Sequence, residues 1–337
     1  MARNLRPAAA LRRQRGAALL LAMLTVTLVA TFAAAALWQQ WRSTEIEAAE
    51  RARLQSAWVL VGALDWSRLI LREDGRTGGA DHLAEPWAVP LAEAKLTSFL
   101  AADRNIASDA LEGLPEAFLS GRIVDAQSKL NVRNLVDGNR PVPEAMAAFR
   151  RLFELLGLPP QQVDALAAAL LRASPRAATA TTPAAAGAQA GEDVPLMPQR
   201  VQELVWLGLP AATVAAIEPY VTVLPATTGL NINTASAEAL YASLPGLDMA
   251  GARRLVAERQ RQYFKAVADA NELLKSGDAQ FDAGRFGVST AYFEVLGRLR
   301  LEHTWVEERS LLFRNGLALT VVWRQRGAGT TNEASGP

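Results

Sequence analysis

The chain has 337 residues, of which half are hydrophobic and a fifth are charged. This length and composition predict a folded protein with room for two or three domains. A formal net charge of +1 excludes a global basic field that would attract nucleic acid or acidic membranes. The lack of cysteine excludes disulfides, cysteine–zinc sites and thiol catalysis. His82 and His303 lie far apart in the sequence, and we interpret both as surface or packing residues.

The N-terminus consists of a basic segment followed by a long apolar run. Residues 1–16 contain five arginines and no acid, and residues 17–38 contain no charged side chain. As a helix that rises about 1.5 Å per residue, the apolar run spans roughly 33 Å, enough to cross a bilayer core. Because basic residues stay on the cytoplasmic side, everything after Trp41 is predicted to lie outside the cytoplasm.

Three interpretations of this segment remain open. It is a cleaved signal peptide with small residues at Ala33–Ala36, an uncleaved signal anchor, or a prepilin leader. The third depends on Arg15-Gly16-Ala17, where the basic segment ends in glycine directly before the apolar run. This junction resembles a type IV prepilin leader, which implies cleavage by prepilin peptidase after Gly16 and methylation of the new N-terminus at Ala17. The apolar helix of residues 17–41 then stays on the mature protein.

Helical spacing continues beyond the apolar run. Apolar residues recur at helical intervals from Leu54 to Ile70, and no proline interrupts the stretch, so one helix is predicted from the membrane to about Leu71. Residues 75–90 are predicted to form a loop because they contain paired glycines and two prolines. Residues 119–132, which contain β-branched side chains, predict a strand and a turn.

A block of helical patterns follows. It predicts helices at residues 143–156, 160–172, 198–207, 211–221, 235–243, 249–262 and 266–275. Residues 175–195 are rich in alanine, threonine and glycine and predict a mobile loop within this block.

Strand patterns return after Phe286. They predict strands at residues 292–302, 304–313 and 317–324, with Asn315-Gly316 as the turn between the last two, and a disordered polar tail at residues 327–337. A lone strand near residue 123 needs partners, and the only candidates come after residue 286.

These elements predict an α+β fold. A long N-terminal helix precedes an antiparallel sheet built from residues 42–142 and 286–326, and an all-helical domain, residues 143–285, is inserted in that sheet. Two domains in series are the alternative.

The succession of elements and motifs resembles the K-type minor pseudopilins of type II secretion over nearly the whole chain. After the leader junction, the matching residues are Glu85-Pro86-Trp87-Ala88, then Gly121, Ile123, Asp125, Gln127, Asn131 and Leu135, then Asn231-Ile232-Asn233-Thr234-Ala235 with Leu244-Pro245-Gly246-Leu247, and finally Val321-Val322-Trp323-Arg324. The resemblance implies a pseudopilin fold with an inserted helical domain. It also implies a place at the tip of a short periplasmic filament that exports folded proteins across the outer membrane.

The partners implied by the resemblance are the I- and J-type minor pseudopilins, the major pseudopilin, prepilin peptidase and the inner-membrane secretion platform. The implied location is the inner membrane, crossed once, with the N-terminus in the cytoplasm and the bulk in the periplasm. Leu21 is the fifth residue counted from Ala17. Major pseudopilins usually carry glutamate there, so the resemblance makes Leu21 the mark of a tip subunit.

Residues 231–262 also resemble a helix–hairpin–helix motif, which binds the DNA backbone, so a membrane-tethered DNA-capture protein is the alternative function. In that motif two glycines let backbone N–H groups approach a phosphate. Here Gly246 is present, but Asp248 replaces the second glycine and would repel the phosphate. We therefore predict no nucleic-acid partner, although four arginines are near enough to touch a backbone: Arg253, Arg254, Arg259 and Arg261. The hairpin is predicted to pack a core through Leu240, Leu244, Leu247 and Leu255.

Related K-type pseudopilins bind calcium through an acidic loop of the helical domain, so the resemblance raises calcium as a cofactor. Calcium takes six or more oxygen ligands. This chain has Arg172 where the family pattern has acids, and only Glu192 and Asp193 remain as candidate ligands, which we interpret as solvated loop residues. The sequence has no phosphate loop, nucleophile elbow or zinc spacing, so we predict no catalytic residue and no enzymatic activity.

Overall fold

The computed structural model describes residues 17–97, 116–174, 195–274, 279–301 and 304–328. The chain divides into two compact units, one ending at Trp58 and the other starting at Val59. The described part of the first unit is helical, and the second unit contains an antiparallel sheet and a group of helices. The predicted α+β class is therefore confirmed.

Helix α1 spans Ala17–Thr77 and contains no glycine before Gly62. It ends where Gly78 and Gly79 adopt φ values of +63° and +114°, which glycine reaches without steric cost. The predicted end near Leu71 is wrong, because the helix continues through Gly75. A Cβ at Gly75 would lie 3.2 Å from the carbonyl oxygen of Gly316, so glycine allows a close approach of the two segments there.

Within the described ranges the sheet has five strands, and their spatial order is their chain order: β1 (Leu91–Lys95), β2 (Ala117–Asp125), β3 (Tyr292–Leu301), β4 (Thr304–Asn315) and β5 (Ala318–Ala328). Strand β2 pairs with β3 from Ala117 opposite Leu301 to Asp125 opposite Phe293. The strand predicted near residue 123 thus finds its partner after residue 286. Strand β1 was not predicted, because its sequence, LAEAK, has no β-branched or aromatic residue.

The hairpin between β4 and β5 differs from prediction by one residue. Asn315 pairs with Ala318, so the two loop residues are Gly316 and Leu317 rather than an Asn-Gly pair. The first loop position has a φ of +58°, which favours glycine there and leaves Asn315 as the last residue of the ladder. Strand β5 continues to Ala328, so the predicted tail begins inside the strand, and the rest of that tail lies outside the described residues.

One face of the sheet packs against the C-terminal part of α1. The buried residues of this core are Leu64, Leu71, Trp87, Ile123, Phe293, Val295, Leu312 and Leu319. Gly121 pairs with Gly297 between β2 and β3. A Cβ on Gly121 would lie 2.8 Å from the carbonyl oxygen of Leu296, so only glycine fits there without a backbone shift.

The chain between β2 and β3 forms the helical region. Its α-helices are α2 (Pro143–Leu155), α3 (Gln161–Ala173), α4 (Ala211–Ile217), α5 (Ala237–Ser243), α6 (Met249–Arg261) and α7 (Val267–Leu273). The segment predicted as a helix over residues 198–207 is a 3-10 helix, Val201–Leu207, which ends at Gly208 with a φ of +92°.

Short two-residue strands bracket these helices. Leu130–Asn131 pairs with Val221–Thr222, Val136–Asp137 with Arg140–Pro141, and Leu230–Asn231 with Phe286–Gly287. One continuous hydrophobic core fills the region and extends from Leu130 to Phe286. It therefore begins before residue 143, where the inserted domain was predicted to start, because the residues just after β2 pack against the helices. Of the loop predicted at residues 175–195, only Pro195 is described.

Candidate functional site

The first candidate site is the N-terminal part of α1, residues 17–41. Every residue in it is exposed, and the helix is long and apolar enough to cross a membrane. Each of its three threonine hydroxyls donates to the carbonyl oxygen three residues earlier, at 2.8–2.9 Å, so the hydroxyls of Thr25, Thr27 and Thr31 need no other partner in lipid. Near its end the rings of Trp38 and Trp41 lie 5.4 Å apart, suited to a membrane interface.

The structure describes some of the predicted site residues and not others. Ala17 is the first residue of α1, and Leu21 is 66% exposed within the apolar run. Gly16 lies outside the described residues, and so do the candidate calcium ligands Glu192 and Asp193. The proposed processing site and the acidic loop therefore remain predictions.

A second candidate site joins two of the sequence motifs. Asp125 closes β2, and one of its carboxylate oxygens accepts hydrogen bonds from Asn231 Nδ2 at 2.9 Å and Thr234 Oγ1 at 2.5 Å. The other carboxylate oxygen accepts from the backbone N–H of Gln127 at 2.7 Å. The Gln127 side chain in turn donates to the Gly229 carbonyl at 3.1 Å. The two motifs, about a hundred residues apart, thus meet at a single buried carboxylate.

Burial sets the protonation of this carboxylate. Asp125 is 1% exposed, and desolvation raises its pKa from 3.8 to about 6 although several hydrogen bonds act in the opposite direction. A buried carboxylate that accepts several donors fixes those donors in place, so Asp125 attaches the helical region to the end of the sheet. The sequence offered the motif residues but no signal for this meeting point.

The Glu85-Pro86-Trp87-Ala88 segment forms a plug on the sheet. Glu85 accepts hydrogen bonds from the indole N–H of Trp87 at 2.7 Å and from the backbone N–H of His82 at 2.9 Å. Trp87 is 1% exposed and packs edge-on against Phe293, with ring centroids 5.3 Å apart. His82 stacks on Tyr263 of the helical region with ring centroids 3.8 Å apart, so the plug also contacts that region. His82 is thus a packing residue, as predicted.

The carboxylates of Asp74, Asp81 and Glu85 lie within 4.8 Å of one another next to this plug. Among the described residues they are the one group whose spacing would allow them to hold a metal ion. Desolvation raises the pKa of Glu85 to about 7 and also raises that of Asp81. The guanidinium of Arg314 donates to Asp74 at 2.6 Å and also bonds Asp81. A fixed cation already lies among these carboxylates, so the group does not fit calcium, which requires six or more free oxygen ligands.

The hairpin between α5 and α6 has a cap where a DNA-binding motif needs free N–H groups. Gly246 has a φ of +81°, and Asp248 caps α6 by accepting from the N–H of Gly251 at 2.6 Å. A carboxylate therefore occupies the helix N-terminus that would meet a phosphate. The four leucines predicted to form the core of this hairpin are all buried: Leu240, Leu244, Leu247 and Leu255.

Two arginines of this region have contacts that were not predicted. Arg259 is 9% exposed and donates to the Ile232 carbonyl at 2.6 Å, so the prediction that it could reach a nucleic-acid backbone is wrong. Burial lowers its pKa to about 10. Arg151 of α2 was not predicted to take part, but it donates to the carbonyls of Leu244 and Leu247 at 2.6 and 3.1 Å and so holds the hairpin.

Comparison with known proteins agrees with this geometry. Two family models, both described as type II secretion system protein K, match residues 128–226 and 230–289, which lie in the helical region. The chain is 28% identical to the type II secretion system protein K of Pseudomonas aeruginosa in an alignment that covers 86% of each protein. It is 26% identical to the protein of that name from Dickeya chrysanthemi in an alignment that covers 94% of this chain and 98% of the relative.

A solved structure has the same fold. It is the crystal structure of the GspK–GspI–GspJ complex from the enterotoxigenic Escherichia coli type 2 secretion system. The matching chain is 18% identical, with a TM-score of 0.54, and the match covers 83% of this chain and 98% of that one.

Proposed function

Because the chain belongs to the protein K family of the type II secretion system, we propose that this minor pseudopilin forms the tip of the pseudopilus, helps to initiate its assembly and supports the export of folded proteins across the outer membrane. Residues 17–41 then anchor the subunit in the inner membrane before assembly. The N-terminus faces the cytoplasm, and the region after Trp41 lies in the periplasm, consistent with the arginines of residues 1–16.

The tip assignment rests on one observation: the apolar part of α1 has no ionisable side chain, and its fifth residue counted from Ala17 is Leu21. A lone charge in lipid costs several kcal/mol. Glutamate at this position in major pseudopilins can pair with the N-terminal ammonium of the subunit assembled just before it. A subunit that starts the filament has no such neighbour, so leucine is the more stable choice.

The helical region between β2 and β3 supports the same position. It adds a core that runs from Leu130 to Phe286 to one end of the pseudopilin sheet. A subunit stacked above would have to accommodate this added mass, whereas a tip subunit has no subunit above it.

The proposed partners follow from this position. The solved relative was crystallised as a complex of GspK, GspI and GspJ, so we assign the I- and J-type minor pseudopilins as direct neighbours of this chain. The major pseudopilin follows them in the shaft. Prepilin peptidase would cut after Gly16 and methylate Ala17, and the inner-membrane platform would receive the processed subunit.

Single cysteines test this arrangement, and the natural chain contains none that would interfere. The full-length variant Leu24→Cys, at an exposed position of α1, is combined with cysteines at the matching helix positions of the I, J and major subunits. The matched control is Gln260→Cys, on the exposed side of α6. We expect disulfide-linked pairs of Leu24→Cys with the I or J subunit and few with the major subunit. Abundant links to the major subunit would refute the tip position.

A further inference from the structure

A cavity of about 340 Å³ lies between the helical region and the face of the sheet opposite α1. Arg122 of β2, Glu294 of β3 and Arg309 of β4 line it from the sheet. Glu218 and Thr222 line it from the helical region. All of these residues belong to the second unit, so the cavity lies within one compact body.

Cations outnumber acids in the lining. Arg122, Lys129, Arg200 and Arg309 face two carboxylates, those of Glu218 and Glu294. Two of the four cations already have partners. Arg200 pairs with Glu203 beside the cavity, and Arg309 donates to Glu218 at 3.2 Å and lies 3.7 Å from Glu307.

Arg122 and Lys129 are the two cations that remain. Within the described ranges neither has a carboxylate oxygen within 4 Å. The ammonium of Lys129 donates only to the backbone carbonyl of Glu218, at 3.2 Å. Burial lowers the pKa of Lys129, and the positive charges of Arg309 and Arg122 act in the same direction, whereas the carboxylates of Glu294 and Glu218 raise it. No carboxylate of the described residues contacts the desolvated ammonium directly, so an anion that hydrogen-bonds to it would stabilise its charged form.

The unsatisfied hydrogen-bonding atoms of the lining are of one kind. The indole Nε1 of Trp323 and the Nε of Arg309 are buried and form no hydrogen bond among the described residues, although the Nε of Arg309 lies 3.7 Å from Glu307 and 3.9 Å from Glu294. Both atoms are donors. The excess of cations in the lining favours a ligand that brings acceptor oxygens and negative charge, and charge-assisted hydrogen bonds to such oxygens are the stronger kind.

We propose that this cavity is an oxyanion-binding site in which Lys129 and Arg122 hold a carboxylate or phosphate group. The site does not depend on the proposed function. Such a group can come from a free anion or from an acidic side chain of another protein, and the test distinguishes these two sources.

Lysine labelling tests the site on the full-length protein in detergent. Acetylation of Lys129 is followed by mass spectrometry with and without saturating hexaglutamate peptide or inorganic phosphate, and exposed Lys265 in the same chain is the internal control. We expect bound oxyanion to slow acetylation of Lys129 at least tenfold and to leave Lys265 unchanged. Protection by the peptide indicates a protein source, and protection by phosphate alone indicates a free anion.

Calorimetry provides an independent readout with matched variants. Lys129→Met and Arg122→Gln should each weaken binding of the protecting probe at least tenfold, whereas Lys265→Met should bind like the wild type. Circular dichroism spectra that match the wild type show that each variant is folded. Equal acetylation of Lys129 with and without both probes would overturn the proposal, as would unchanged affinity in Lys129→Met. Neither assay involves a filament or a partner subunit, so failure of the tip assignment leaves the result interpretable.

Discussion

Replacing Asn231 with alanine tests whether the buried motif network holds the helical region on the sheet. Asn231 is fully buried. Its side-chain amide donates to the carboxylate of Asp125 at 2.9 Å and to the backbone carbonyl of Asp81 at 3.1 Å, and its oxygen accepts from the N–H of Asn233 at 3.0 Å. The substitution removes all three bonds and leaves their partners inside the protein.

The expected loss of stability depends on the polar groups that Asn231→Ala leaves without a hydrogen-bond partner. A buried polar group without a partner costs about 1–3 kcal/mol, and a hydrogen bond to a charged group contributes about 1.5–3 kcal/mol. Because the three bonds belong to one network, their costs are not additive. We expect a loss of about 4 kcal/mol in the free energy of unfolding, which is a large part of the roughly 5–15 kcal/mol that stabilises a domain.

Urea unfolding of the full-length protein in detergent, followed by tryptophan fluorescence, measures this loss. The matched control is Asn315→Ala, because Asn315 is an exposed asparagine at the end of β4. Surface substitutions change stability by about 0.5 kcal/mol or less, and the control should stay within that limit. A loss below about 1 kcal/mol for Asn231→Ala would refute the reasoning, as would equal losses in the two variants.

Three further predictions concern other parts of the chain. Because burial raises the pKa of Asp125 from 3.8 to about 6, its stabilising contribution is fully present below pH 3.8 and is lost as pH rises to about 6. The stability of wild type relative to Asp125→Asn should therefore fall by about 3 kcal/mol between pH 4 and pH 8 in urea titrations, and a constant difference would contradict this. Arg151→Met frees the hairpin carbonyls, so we expect about 2 kcal/mol lower stability and faster hydrogen exchange at residues 244–248; unchanged exchange would show that Arg151 does not hold the hairpin. Gly16→Leu should block processing, so that precursor accumulates on immunoblots, whereas a wild-type mature N-terminus other than Ala17 would disprove the cleavage site.

The parts of the fold with long periodic patterns could be predicted from the sequence. Helix α1 and strands β2–β5 each follow one period over many residues, and the strand near residue 123 could be assigned partners because a single strand is not stable alone. The apolar N-terminal segment could also be predicted as a helix long enough to cross a membrane, because that property depends on composition rather than on packing.

The features that depend on contacts distant in sequence could not be predicted. The end of α1 was misplaced because residues 75–90 were predicted as one loop, whereas the helix continues through Gly75, whose lack of a side chain allows the close approach of Gly316. Arg259 has the same local pattern as the exposed Arg253 and Arg254, and its burial follows from where Ile232 lies. The carboxylate of Asp125 accepts hydrogen bonds from side chains of the helical region, and no local sequence pattern predicts these contacts.

The position of this chain in assembled pseudopili tests the central claim most directly. An epitope tag added after Ala328, at the end of β5, is labelled with gold and imaged on filaments sheared from cells that express the tagged chain in place of the wild type. We expect label at one end of each filament and about one copy per filament, because Leu21 and the inserted helical region suit a subunit that has no neighbour above it. Gold particles distributed along the shaft would contradict the tip assignment.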